Sequence, residues 1–285
     1  MAADLAGRNI LITGANSGIG KATAAALAER GAQLWLACRS RDKTEAVIAE
    51  LRARSGNRAI HFLPLELDDL DSVRTGAAQF LAQSQPLHVL INNAGVAGHR
   101  GVTRQGFELT FGTNHLGHFL LTELLRPRLL QSAPARIVIV ASRAHKDAPG
   151  IDFDALRRPT TSLTGMSEYS VSKLCNVLHA RELARQSEGS AVTTYGLHPG
   201  VIASDIWRRI PWPVDRLIKR FMKSNQEGAA ASLMCAADPA LASHSGRYYD
   251  QTAERQPASI ARDPALAEQL WQRSAEWTKQ WRQAL

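Results

Sequence analysis

Tyr169 and Lys173 stand four positions apart in SEYSVSKLCN, residues 167–176, a helix-like run with the small Ser170 and Ser172 between them. At 3.6 residues per turn, positions i and i+4 share one face, so a phenol and an ammonium placed this way lie within reach of each other. A free phenol has a pKa near ~10, and a neighbouring cation favours the phenolate, bringing proton exchange closer to neutral pH. Y-x-x-x-K also arises by chance on solvated helices, so this chemistry needs a cofactor site and further polar groups.

TGANSGIG, residues 13–20, supplies the first of these. Its glycines follow an apolar strand-like run and open a helix-like one. There a missing Cβ lets the backbone approach a pyrophosphate, and the helix points its positive end at the anion. The spacing is G-x-x-x-G-x-G rather than G-x-G-x-x-G. Gly14, Asn16, Ser17, Gly18, Ile19 and Gly20 are the candidate phosphate contacts. The next strand candidate ends in ACRSR, with Cys38 where a carboxylate would bind the ribose hydroxyls of NAD, followed by Arg39 and Ser40. With no acid to repel a 2′-phosphate and a guanidinium to fork onto it, NADP(H) is the expected cofactor. Three more polar signals follow in order: NNAG (92–95), Asn114 in TNHLGHF, and Ser142 in VIVAS. Each falls at the end of a strand candidate or just inside the next helix. His115 and His118 have H-x-x-H spacing but lie inside an apolar helical stretch, and packing is the reading there; no metal site is expected. Trp271, Trp277 and Trp281 fall at near-helical spacing and are read as core or subunit packing.

The elements that must position these groups alternate almost from end to end. Strand candidates are residues 9–13, 32–38, 59–65, 88–92, 136–142, 192–198 and, more weakly, 246–250. Helical patterns separate most of them. The strands are continuous apolar runs, as expected when helices cover both faces of a parallel sheet. The expectation is an α/β, single-domain Rossmann fold with a doubly wound, seven-stranded parallel sheet and helices on both faces. No linker divides the 285 residues. Residues 1–285 read as one domain: a dinucleotide-binding core with the catalytic residues over about 7–200, a substrate lid over about 201–240, and a C-terminal strand and helix over 241–285.

Composition excludes several classes. Three scattered cysteines, Cys38, Cys175 and Cys235, form neither a disulfide framework nor a metal-ligand pattern and suit a reducing compartment. No signal-peptide pattern opens the chain, and no apolar run approaches the ~20 residues of a membrane span, so the expected location is cytoplasmic with no integral span. The net charge of +8 and pI near 9.8 invite a nucleic-acid reading, but no binding signature accompanies them, and no nucleic-acid partner is expected. Much of the charge gathers in WRRIPWPVDRLIKRFMK, residues 207–223.

Taken together, TGxxxGIG, NNAG, Asn114, Ser142, YxxxK and HPG (198–200) occur in the order found in short-chain dehydrogenase/reductases, and the chain resembles that family over nearly its whole length. NHLGHFLLT, SAPARIV, YSVSKLCNVL and VTTYGLHPGV are similar to its retinol-dehydrogenase-like branch, as are the 27 positions from Ser142 to Tyr169. Membrane-bound members of that branch carry an N-terminal apolar anchor that is not seen here. The resemblance implies Tyr169 as acid or base, Lys173 as its partner and as a grip on the nicotinamide ribose, Ser142 on the substrate oxygen, and Asn114 holding a water that links Lys173 to solvent. It also implies Asn93, Ala94 and Gly95 on the adenosine side, and Pro199, Val201 and Ser204 at the carboxamide end. Glu66 and Leu67 would lie near the adenine, with Glu66 in LEL standing where the family usually has Asp. A homodimer or homotetramer through the helices carrying Asn114 and Tyr169 is implied as well.

Trp207, Trp212, Leu217 and Phe221, in the stretch after HPGV, are the lid candidates and favour a large apolar carbonyl or alcohol such as a retinoid, steroid or long-chain aldehyde. The basic residues among them read as a solvated face, a peripheral contact with an anionic membrane surface, or an attraction for an acidic carrier. Two other functions compete: a dehydrogenase/reductase acting on a different carbonyl or double bond, for example a carrier-linked one, and a non-catalytic NADP sensor. Sensors typically lose the Tyr or Lys, and here both are intact.

Overall fold

The computed structural model describes residues 4–201 and 224–283. β1 (Asn9–Thr13), β2 (Gln33–Cys38), β3 (Ile60–Pro64), β4 (Val89–Asn92), β5 (Ala135–Val140), β6 (Val192–His198) and β7 (Arg247–Asp250) pair in parallel in the order β3-β2-β1-β4-β5-β6-β7. This is the doubly wound arrangement, with its switch of direction between β1 and β4. Each strand buries alternate residues on opposite faces, which is why the runs are apolar throughout. Leu11, Trp35, Leu63, Leu90 and Ile137 join one core, and Ile10, Ile12, Leu34, Leu36, Ile91, Val138 and Leu197 join the other.

Helices α1 (Gly18–Glu29) and α2 (Arg41–Ser55) cover the second core. The first core is covered by α3 (Leu70–Ala82), a segment made of α4 (Leu109–Phe111), a π turn (Gly112–Leu116) and α5 (Gly117–Gln131), and then α6 (Met166–Gln186). α6 begins at Met166, so Tyr169 lies in its first turn.

Two features differ from the sequence reading. The sheet has eight strands, not seven, because the chain reverses at Gln251 (φ 57°) and adds the two-residue antiparallel β8 (Ala253–Glu254) to β7. Within the expected lid span of 201–240, Asn225–Ala237 forms α7, a core helix that opens with a Ser224–Glu227 capping box and packs on α1. Only 202–223 remains for a lid, and it lies outside the described residues. α8 (Pro264–Trp277) and α9 (Lys279–Arg282) lie along α6 and α5. Trp271 meets Phe119 edge-on at 5.0 Å, Trp277 packs on Phe107 and Phe111, and Trp281 donates to Asp71 at 2.8 Å. The tryptophan pattern is therefore intramolecular packing.

Candidate active site

The turn after β1 is shaped by two glycines that admit no side chain. Gly14 has φ +66°, and a Cβ there would lie 2.9 Å from Ala94; a Cβ on Gly20 would lie 2.3 Å from the Gly14 carbonyl oxygen and 2.5 Å from Asn93 Nδ2. The turn therefore sits directly on the loop after β4. Thr13 joins the two, its hydroxyl accepting Asn93 N–H at 2.9 Å and Ala94 N–H at 3.0 Å. At the start of α1, Ser17 makes no side-chain cap. The first-turn amides and the helix dipole are left to serve an anion, which fits a dinucleotide pyrophosphate.

At the end of β2, Cys38 is buried and burial pushes its thiol up, while Arg39 projects into solvent with its side chain 74% exposed. The Arg39 guanidinium stands 3.7 Å from the Glu66 carboxylate across the edge of the sheet. This edge presents an exposed guanidinium with no carboxylate at position 38, a donor set that fits a 2′-phosphate.

The catalytic end is made of buried side chains. Asn114, in the π turn, accepts Val96 N–H at 2.8 Å through Oδ1 and donates from Nδ2 to Val96 O at 2.9 Å and to Ser172 Oγ at 3.0 Å. Its amide is thus used in holding the loop after β4 to α6. Ser172 donates in turn to the Tyr169 carbonyl at 2.7 Å. Ser142, at the end of β5, caps a 3-10 turn (Arg143–Asp147) by accepting Ala144 N–H at 3.2 Å. Lys173 is buried and donates from Nζ to Val140 O at 2.9 Å, with Nζ 5.7 Å from the Tyr169 ring centre.

Burial decides the protonation states here. It lowers Lys173 to about 8 and pushes the Tyr169 phenol up, with the Ser142 hydroxyl pulling the phenol back in part. Burial thus shifts the phenol toward its protonated form, opposite in direction to the lowering that the Tyr–Lys spacing suggests. The lysine's own charge is weakened by the same desolvation.

A cleft of about 600 Å³ joins the two ends. Of the residues singled out from sequence, Gly14, Asn16, Ser17, Gly18, Ile19, Gly20, Asn93, Ala94, Gly95, Ser142, Tyr169, Lys173, Pro199 and Val201 line it. Asn114 stands just behind Gly95; a Cβ on that glycine would be 3.2 Å from Asn114 Oδ1 and 3.5 Å from Lys173 Nζ. Arg39, Ser40, Glu66 and Leu67 lie outside the lining, at the ends of β2 and β3. Ser204, Trp207, Trp212, Leu217 and Phe221 lie outside the described residues.

The lining also includes His198 of the HPG motif, and His99, Arg143, Lys146, Asp147 and Met166, which the motifs did not single out. The signal for several of them was the irregular loop after Ser142, which interrupts the βα rhythm at a strand's carboxyl end. A second cavity of about 690 Å³, between α3 and α5, holds Glu123 and Arg282 but none of these groups. Among the described residues no cluster of His, Cys, Asp and Glu is placed to hold a metal, and His115 and His118 are each hydrogen-bonded within the core.

Comparison with known proteins agrees with this geometry. The family model described as short chain dehydrogenase matches residues 8–153. Over 276 residues the chain is 44% identical to mouse (Mus musculus) retinol dehydrogenase 12, covering 95% of this chain and 86% of that protein. It is 43% identical over 278 residues to bovine (Bos taurus) dehydrogenase/reductase SDR family member 13, covering 95% and 73%. A crystal structure of an uncharacterized protein from Mycobacterium paratuberculosis superposes with a TM-score of 0.76 at 32% identity, covering 98% of this chain and 97% of that one. The chain belongs to the short-chain dehydrogenase/reductase family, within it is retinol-dehydrogenase-like, and is an oxidoreductase of alcohol and carbonyl groups that uses a nicotinamide cofactor.

Proposed function

We propose that the protein interconverts a carbonyl and an alcohol on a large apolar substrate, with NADP(H) as cofactor. The observation that carries this reading is the convergence of Ser142, Tyr169 and Lys173 on one cleft that runs from the glycine turn of β1. In carbonyl reduction the Tyr169 phenol gives its proton to the substrate oxygen, and the Ser142 hydroxyl donates a hydrogen bond to that oxygen as negative charge develops. Lys173 sets the field at the phenol. Asn114 keeps the loop after β4 and the first turn of α6 in register around the lysine. When bound, the nicotinamide supplies or accepts the hydride.

The α1 amides and the Gly14–Gly20 turn would hold its pyrophosphate, Arg39 and Ser40 a 2′-phosphate, Asn93–Gly95 the adenosine side, and Pro199, Val201 and Ser204 the carboxamide. The preference for a large apolar substrate is supported by the retinol dehydrogenase relative and by the large apolar residues Trp207, Trp212, Leu217 and Phe221 in the stretch after HPGV. The test follows absorbance of the reduced nicotinamide against retinal, steroid ketones, long-chain aldehydes and aromatic aldehydes, with NADPH and NADH in parallel. Turnover that prefers NADPH and is best with the large apolar members is expected. Equal use of NADH, or turnover best with the smaller aromatic aldehydes, would overturn the finer reading.

A further inference from the structure

Behind two of the proposed catalytic groups lies a buried imidazole that touches neither cofactor nor substrate in the roles given above. His118 places Nδ1 2.9 Å from the Asn114 carbonyl oxygen and Nε2 2.8 Å from Thr13 Oγ1. His145 places Nδ1 2.6 Å from the Ser142 carbonyl oxygen and Nε2 3.1 Å from the amide nitrogen of Ala258. A carbonyl only accepts and an amide N–H only donates, so His145 carries its proton on Nδ1 and accepts at Nε2. The same holds for His118 by closing the hydrogen-bond count at Thr13. That hydroxyl has two lone pairs, taken by the Asn93 and Ala94 amides. Its one proton is then free for Nε2, since Ile91 O, the other acceptor in range, is 3.5 Å away. Both imidazoles are enclosed, and burial depresses both, His118 to about 4, so the neutral ring is the resident form.

We infer that His118 and His145 are positioning residues: each donates Nδ1–H to the main-chain carbonyl of a proposed catalytic residue and anchors that residue, through Nε2, to a segment distant in sequence. For His118 the anchor is the hydroxyl that sets the glycine turn against the loop after β4, so Asn114 and the cofactor floor are tied in one step. The tie falls in the π turn, whose widened backbone departs from the regular helical ladder. For His145 the anchor is Ala258, between β8 and the C-terminal helices. This makes the tail beyond the matched 8–153 segment a strut for Ser142, with Tyr248 packed edge-on against the ring at 5.2 Å. The inference rests on the proposed catalytic roles of Asn114 and Ser142.

The test pairs apolar rings with amides that keep one bond. His118→Phe and His145→Phe remove both hydrogen bonds. His118→Asn and His145→Asn keep a donor near the position of Nδ1. Loosening a catalytic group by a fraction of an ångström to an ångström lowers kcat by roughly 10- to 100-fold, which is the loss expected of the Phe variants. The Asn variants are expected to recover most of it. Nitrogen-15 spectra of histidine-labelled wild-type protein are expected to show the Nδ1–H tautomer at both sites. They also decide the matter should a Phe variant fail to fold.

Two Phe variants with wild-type kcat, Asn variants no better than Phe, or an Nε2–H tautomer at either site would overturn the inference. Tyr169→Phe in the same assay separates the two levels. Lost turnover there with unaffected histidine variants sinks this inference alone, whereas retained turnover sinks the catalytic reading and this inference with it.

Discussion

The two ends of the cleft are built from different materials. The cofactor end is backbone: a glycine turn, the uncapped amides of α1, and an edge where Arg39 and Glu66 stand in solvent. The catalytic end is side chains, with Asn114, Lys173, His118 and His145 buried, and Tyr169 buried but for its opening to the cleft. At the first end sterics and the helix dipole dominate, and single charges are screened. At the second, desolvation outweighs the pairwise interactions, which is why Lys173 falls and Tyr169 rises although they are neighbours. Substitutions at the buried end should therefore alter rate and protonation, and those at the open end should alter cofactor affinity.

The largest expected effect is at the buried end. Tyr169→Phe removes the one group placed to give a proton to the substrate oxygen. Turnover should fall by roughly 10³-fold, within the range general acid catalysis supplies, while thermal stability and cofactor binding stay near wild type. If kcat survives and cofactor affinity falls instead, the division between the ends is wrong. Next in size is Gly20→Ala at the open end. The added methyl meets the Gly14 carbonyl oxygen at 2.3 Å, a backbone atom that cannot swing aside. A stability loss of about 1–3 kcal/mol is expected, with cofactor affinity lower by roughly tenfold or more as Asn93 and the turn amides shift. Calorimetry and fluorescence titration of NADPH would check both.

Much of the open end was legible in the sequence, because backbone sites leave a compositional trace: glycine where a Cβ cannot fit, between an apolar strand and a helix. The strands were legible for a related reason, since burial on both faces demands continuous apolar runs. α7 was not, because GAAASLMCAA packs by smallness against α1 and shows little periodic contrast. β8 is two backbone pairs with no side-chain pattern. The side chains that meet at the buried end could be named from their order along the chain, but not their protonation. Tyr169 beside Lys173 suggests a lowered phenol; the burial that reverses the direction comes from β5, the Ser142 turn and the loop after β4, all remote in sequence. The ties from His118 to Thr13 and from His145 to Ala258 span about a hundred residues each and leave no local signal.

A smaller effect tests whether burial governs Lys173. Its pKa is lowered from 10.5 to about 8 in the folded protein, so the unfolded chain binds more protons between those values. Stability attributable to this group therefore rises with pH across that window, and its loss is complete below about 8. The ammonium that supports the phenol disappears over the same window, so kcat/KM for carbonyl reduction should fall as pH rises above about 8. Activity and stability then move in opposite directions with pH. Lys173→Met should raise the Tm at neutral pH and lower turnover by less than Tyr169→Phe does. A flat pH–rate profile through this window, or a destabilised methionine variant, would mean that the Val140 hydrogen bond outweighs the desolvation of the amine.

Arg39→Ala comes next, with NADPH affinity expected to fall by roughly tenfold and NADH affinity unchanged, since only a charge-assisted bond to the 2′-phosphate is lost. That loss should shrink in high salt because the group is exposed. The smallest effect belongs to its partner. At 3.7 Å, with side chains 74% and 42% exposed, the Arg39–Glu66 pair contributes little to folding. Glu66→Gln should leave the Tm unchanged. It also removes the carboxylate that competes with a phosphate for the guanidinium, so NADPH should bind tighter by about threefold or less, as expected for a screened pair. Weaker NADPH binding in Glu66→Gln would instead make the glutamate a cofactor contact in its own right, serving the adenine where the family usually has Asp. The open end would then depend on a specific side chain as the buried end does.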